Sequence, residues 1–207
     1  EAEATAKLLA VTDPLTGLAN NLGLEAKLHA LVKDYTLTQN GGFTLMQVDL
    51  DEFKSINEGL GRPAGDDILK ETTSRLSHCV KDNDTLARVG ADTFGIILHN
   101  VTLGDDADKV ASRILQALRQ SHFIDGSPVR LNASIGITLF PHDGTDVPTL
   151  LRHAELALDN AKGQPCAPAV HRSRKATKAT AWPSAWRRWC RVRAARPSST
   201  SKAAGCG

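Results

Sequence analysis

Two stretches decide the fold: FTLMQVDLDEFKSINEGLGRPAGD at residues 43–66 and RVGADTF at residues 88–94. FTLMQVDL (43–50) is apolar on both faces apart from Thr44, Gln47 and Asp49, a pattern that predicts a buried strand. DEFKSIN (51–57) predicts a short helical turn, and Gly59, Gly61, Pro63 and Gly65 predict a loop after it. TLARV (85–89) and TFGIIL (93–98) read as two strands joined by a tight turn at Gly90–Asp92. Asp49 therefore ends a strand, with Asp51, Lys54 and Asn57 close behind it, while Asp92 lies in a turn. Carboxylates at a strand end, beside a lysine and opposite a glycine-rich loop, suit a magnesium–phosphate site, and a neighbouring strand pairing would let Asp49 and Asp92 share one ion. The plainer alternative is that Asp51 caps the short helix and Gly-Ala-Asp-Thr is good turn chemistry. These residues alone leave both readings open.

Outward from this centre the periodicity is clear. DPLTG (13–17) is a turn, because Pro14 disfavours helix at Asp13 and Gly17 permits unusual backbone angles. Leu24, Leu28 and Leu31 mark one face of a following helix, and Leu69, Leu76 and Val80 mark another. Residues 105–121 carry the stripe Ala107, Val110, Ala111, Ile114, Leu115 and Leu118. VRLNASIGITLF (129–140) predicts one strand with Leu131, Ala133, Ile135, Ile137 and Leu139 on one face. The last helix spans about 147–161, with Leu150, Ala154, Ala157, Leu158 and Ala161 inward. The order α-β-α-β-β-α-β-α predicts an α/β sandwich whose helices cover a mixed or antiparallel sheet.

Composition divides the chain in two. Of 207 residues, 41% are hydrophobic and 23% charged, as in ordinary globular proteins, and the net charge is +2. The longest apolar stretches run to about five residues, as in Phe94–Leu98, far short of the roughly 20 of a membrane span. No basic-then-apolar leader is present at the N-terminus. Residues 1–163 hold 15 Lys+Arg against all 23 acids, a charge of −8; residues 164–207 hold 10 Lys+Arg and no acid. That tail also lacks Leu, Ile and Phe, the residues that fill cores, while holding all three Trp and three of the four Cys. Cys79 alone in the first part fits a reducing, cytoplasmic compartment. Residues 1–12 read as the end of a helical linker from an upstream domain, so the chain looks like a piece of a larger protein. Expected boundaries are linker 1–12, domain 13–163 and disordered basic tail 164–207.

Several separated motifs together resemble the GGDEF family, whose members make or sense cyclic di-GMP. DPLTGLAN (13–20) is similar to the family's opening DxLTGLxNR, and VDLDEFKSINEGLGRPAGD (48–66) to its DxDxFKxIND…GHxxGD. RVGADTF (88–94) stands where the signature RxGGDEF belongs; SIGI (134–137) and ALDNAK (157–162) also match. The resemblance implies a fold similar to the palm of adenylyl cyclases and polymerases, with a central, mostly antiparallel sheet flanked by helices. It implies Mg²⁺ held by Asp49, the Leu50 carbonyl and Asp92 when nucleotide is bound. By the same resemblance Lys54 and Lys162 join the GTP-binding set, with Asn57 and Asp66 on the guanine edge. Active members pair two domains, and each 3′-hydroxyl attacks the other GTP's α-phosphate.

The departures point away from catalysis. Ala91 replaces the signature's second Gly and brings a methyl group where backbone and substrate approach closely. Thr93 replaces the signature Glu, and a hydroxyl carries no charge and is no base near neutral pH. Arg62 and Asn21 replace the family's His and Arg. The inhibitory RxxD becomes KDND, Lys81 to Asp84, losing the planar guanidinium fork, and ordinary solvated loop charges describe it as well. No catalytic set is left intact, so the resemblance implies a degenerate domain, regulatory, GTP-binding or dimerising, beside an EAL or sensor domain. Some relatives of this kind govern type IV pili or biofilm. The alternatives are a weak diguanylate cyclase, or nucleic-acid or membrane binding through WRRWCRVRAAR (186–196). The family's closing AKxxGRN breaks at Pro165 and Cys166, and an abrupt compositional change inside a motif favours an out-of-frame or cloning-derived tail. No nucleic-acid partner is therefore expected. Cys166, Cys190 and Cys206 match no zinc spacing.

Overall fold

The computed structural model describes residues 10–124, 126–162 and 170–172. The chain runs α1 (Asn21–Thr38), β1 (Phe43–Asp51), α2 (Phe53–Leu60), α3 (Arg62–Ser77), β2 (Thr85–Arg88), β3 (Thr93–His99) and α4 (Gly104–Leu118). It continues through β4 (His122–Ile124), β5 (Ser127–Val129), β6 (Asn132–Phe140), α5 (Val147–Lys162) and β7 (Val170–Arg172). The main sheet has the order β2-β3-β1-β6-β7, antiparallel except for the β6–β7 pair. The expected α/β architecture holds. β1 is the central strand, and its near-continuous burial follows from cover on both faces.

Strand alternation sorts the core into two layers. Met46, Val48 and Leu50 of β1 join Phe94, Ile96, Ala133, Ile135 and Ile137 against the inward stripes of α2, α3 and α4. Phe43, Leu45 and Ile97 face the other way, onto Leu24 and Leu28 of α1 and Leu150 and Ala154 of α5. Phe43 stacks on Phe140 with centroids 4.7 Å apart, which anchors the end of β1 remote from Asp49. Each such side chain taken fully out of water contributes about 1.5–3 kcal/mol.

Four expectations need correction. The stretch Gly59–Gly65 is not a loop: α2 continues to Leu60, Gly61 at φ +86° makes the break, and α3 starts at Arg62 with Pro63 in its first turn. Proline there has no lost hydrogen bond, since the first helical N–H groups have no partner in the helix. The strand expected at 129–140 is two elements. Residues 127–129 turn back on β4 as a hairpin with Gly126 at φ +77°, and only 132–140 enter the main sheet. Asp125–Gly126 was the available turn signal. The expected helix 105–121 ends at Leu118. Finally, the boundary at residue 163 does not hold for residues 170–172, which form β7 beside β6 rather than part of a disordered tail. The rest of the expected tail and residues 1–9 of the expected linker lie outside the described residues. Among those described, no helix is long and apolar enough to cross a membrane.

Candidate functional site

The β1–β3 register builds the site. Asp49 pairs with Thr93 across the two strands, and the Leu50 N–H donates to the Asp92 carbonyl at 3.1 Å. The hairpin turn is thereby fixed beside the end of β1, so Asp49 and Asp92, 43 positions apart in the sequence, become neighbours. The turn is closed by Val89 N–H and Gly90 N–H donating to the Thr93 carbonyl at 2.9 and 3.1 Å. Ala91 is exposed and takes an ordinary negative-φ backbone, so its methyl group costs no strain and acts only by the space it fills.

Asp49 is 7% exposed, and both its oxygens are engaged. Thr93 Oγ1 donates to Oδ2 at 3.0 Å, and Lys162 Nζ, from the last residue of α5, lies 2.9 Å from Oδ1. Asp51 leaves the strand one pleat further on and accepts from Ser134 Oγ at 2.9 Å. The Asp51 side chain does not cap α2, whose N-cap is Glu52 with no side-chain capping bond. Burial, followed by the Asp49 charge, pushes the Asp92 carboxyl above its ordinary value. Asp51 is raised by burial and by Asp49, against the lowering effect of the Ser134 hydroxyl. The site thus crowds negative charge at one strand end, with the Lys162 ammonium seated on it.

This donor set fits a hard divalent cation. Two carboxylates and a strand-end carbonyl at Leu50 are oxygen ligands of the kind Mg²⁺ takes, and that ion completes its shell with water and phosphate oxygens. No group of three or more His, Cys, Asp or Glu is gathered for a metal among the described residues, so the protein offers a partial shell, not a cage.

The nucleotide candidates lie on the adjoining helices. Lys54 is exposed on α2 and only 3.8 Å from Glu58. Asn57 is half-buried where α2 meets α3, and its Oδ1 lies over Gly65, where any Cβ would collide with it. Asp66 is exposed one residue on. The Lys81–Asp84 pair is built as a turn: Asp84 Oδ2 accepts from Lys81 N–H and Oδ1 from His99 N–H, both at 2.9 Å. Both carboxylate oxygens of Asp84 thus serve the backbone, while Lys81 is exposed.

Ser134 and Arg88 escaped the sequence reading, as did the contact of Lys162, expected in the GTP-binding set, with Asp49. Lys162 and Ser134 reach the carboxylates only through the packing of α5 and β6 on β1. Arg88 bridges Asp13 at 3.3 Å and donates to the Ala91 carbonyl at 2.7 Å, tying the DPLTG turn to the signature turn. Burial alone would raise Asp13, but hydrogen bonds from Thr16 and the Arg88 guanidinium hold it below its ordinary value.

Comparison with known proteins bears on the family and the fold. The family described as diguanylate cyclase, GGDEF domain, matches residues 10–166. The cyclic di-GMP phosphodiesterase NbdA of Pseudomonas aeruginosa is 33% identical over 161 residues, 78% of this chain and 20% of that protein. The probable diguanylate cyclase DgcE of Escherichia coli is 35% identical over 146 residues, 70% of this chain and 13% of that protein. The chain thus spans a fifth or less of the length of these relatives. A solved GGDEF domain of PA1120 (TpbB or YfiN) from Pseudomonas aeruginosa superposes with a TM-score of 0.74 at 30% identity, covering 79% of this chain and 94% of that one. With the family matched over most of the chain and the same fold found in a solved relative, the chain belongs to the GGDEF, or diguanylate cyclase, domain family.

Proposed function

We propose that this is a degenerate GGDEF domain, a regulatory, GTP-binding or dimerising module of a cyclic di-GMP signalling protein that does not itself make the dinucleotide. The hydrogen bond from Thr93 to Asp49 carries the reading. A neutral donor stands where the family's signature has its Glu, so the pocket lacks that second signature carboxylate, which could add a metal ligand or take a proton from a 3′-hydroxyl. The remaining parts suit binding. Asp49, the Leu50 carbonyl and Asp92 would hold Mg²⁺, which when bound neutralises phosphate oxygens. Lys54 and Lys162 supply positive charge for the triphosphate, and Asn57 with Asp66 present hydrogen-bonding groups to a guanine edge. Such a module regulates an attached EAL or sensor domain in the cytoplasm. Two of the relatives' names, a phosphodiesterase and a probable cyclase, support that signalling setting.

One observation favours a second reading, weak cyclase activity: Asp49, Asp92 and Lys162 still converge at one strand end. In that case Asp49→Ala abolishes turnover. The binding claim is tested by fluorescence titration with a mant-labelled GTP and Mg²⁺. Saturable binding is expected, weakened about tenfold by Asn57→Ala or Asp66→Ala. Absence of binding by the native chain overturns the proposal.

A further inference from the structure

The Asp49–Lys162 contact has a consequence for the order in which metal and nucleotide enter. Asp49 is nearly excluded from solvent, and one of its oxygens already holds an ammonium at 2.9 Å. Thr93 Oγ1 occupies the other. A divalent ion approaching Asp49 therefore meets two oxygens that are both engaged, and competes at Oδ1 with a cation already in contact. The Lys162 side chain is 42% exposed and belongs to the last residue of α5, so it can swing outward without unpacking the core. A close pair with one member buried is strongly coupled, and removing its cation leaves the buried carboxylate in want of another.

We infer that Lys162 is the resident counter-cation of Asp49, which keeps bare divalent metal out of the pocket until an anionic triphosphate draws the ammonium away. This rests on reading Asp49 and Asp92 as the metal pair. Metal entry is then gated by nucleotide, and the empty domain does not accumulate divalent ions despite its crowded carboxylates.

The test uses the full chain and Mn²⁺ as probe, with free Mn²⁺ followed by its electron paramagnetic resonance signal. Without nucleotide, Lys162→Gln is expected to bind Mn²⁺ roughly tenfold or more tighter than the native chain. Adding Asp49→Asn to that variant should remove the gain. Lys162→Arg keeps a cation at the helix end and should bind as weakly as the native chain, which separates lost charge from disturbed folding. In the native chain, GTPγS should raise Mn²⁺ affinity beyond what the nucleotide alone gives in solution. Unchanged or weaker Mn²⁺ binding by Lys162→Gln overturns the inference. If Asp49→Asn alters Mn²⁺ binding in no background, with or without GTPγS, the metal reading itself fails and takes the inference with it. If Asp49→Asn weakens the nucleotide-dependent binding while Lys162→Gln gains nothing, the metal reading stands and only the role of Lys162 is refuted.

Discussion

Gly136→Ala probes how the fold holds the site. Gly136 lies mid-strand in β6, pairing with Gln47 of β1, and α5 crosses directly over it. A Cβ built there meets the Ala154 carbonyl oxygen, the Leu158 nitrogen at 2.5 Å and the Leu158 Cα at 2.9 Å. These are backbone atoms, which no rotamer change can move. Ordinary contact begins near 3.4 Å, so α5 must retreat by about 1 Å along its contact with the sheet. A gap of that size forfeits a quarter to a half of each dispersion contact made by Leu150, Ala154, Ala157, Leu158 and Ala161, all buried. Overpacking against immovable backbone then costs about 3 kcal/mol. Urea unfolding of the native chain and the variant, followed by far-ultraviolet circular dichroism, measures the difference. Hydrogen exchange should show the loss concentrated in α5, because the added Cβ meets the backbone of that helix. A loss under about 1 kcal/mol would refute the reasoning, since it would mean that α5 does not lie on Gly136 as described.

Other outcomes follow from the same geometry. Gly65→Ala should change stability by no more than about 1 kcal/mol, since alanine favours a helix and Asn57 can rotate away, yet displacing Asn57 should weaken mant-GTP binding as Asn57→Ala does. Asp13→Ala and Arg88→Ala should each cost about 1–3 kcal/mol in urea, with the double variant well short of the sum because both break one contact. Asp13 is held below its ordinary value in the folded state, so its stabilisation is present near neutral pH and is lost as pH falls through its folded pKa. An acid titration should therefore show a shallower loss of stability in Asp13→Asn than in the native chain. Asp92 is shifted the opposite way, so its charge opposes folding at neutral pH and the penalty fades in acid. Asp92→Asn should raise the urea midpoint at pH 7 and make no difference at a pH where the carboxyl is already protonated.

Local signals made much of the fold legible. The stripe of α4 and the inward positions of α5 follow from 3.6-residue periodicity, and both sets of residues are buried as expected, apart from the partly covered Val110. The β2–β3 turn and the buried β1 follow from runs of β-branched and apolar residues between turn formers. What failed did so where two signals competed. Glycine and proline between residues 59 and 65 read as a loop, but Pro63 sits where a helix start accepts it and Gly65 lies within a helix, leaving room for the side chain of Asn57. Val129 continued the alternation of the following strand, and this masked the turn at Gly126. In the site, Asp49 and Asp92 were readable because strand ends and turns are local. The Lys162 and Ser134 contacts were not, because they depend on which helix crosses which strand, a matter of tertiary packing with no periodic signature.

The central claim is that Thr93 and Ala91 disarm a pocket that is otherwise kept. The most direct measurement incubates the native chain, the Ala91→Gly/Thr93→Glu variant, and that variant with Pro165→Gly and Cys166→Arg added, with GTP and Mg²⁺. Products are identified by mass spectrometry. No cyclic di-GMP from the native chain, with synthesis by a variant that regains the signature carboxylate, is the expected result. Robust synthesis by the native chain would contradict the account and make the domain a working cyclase.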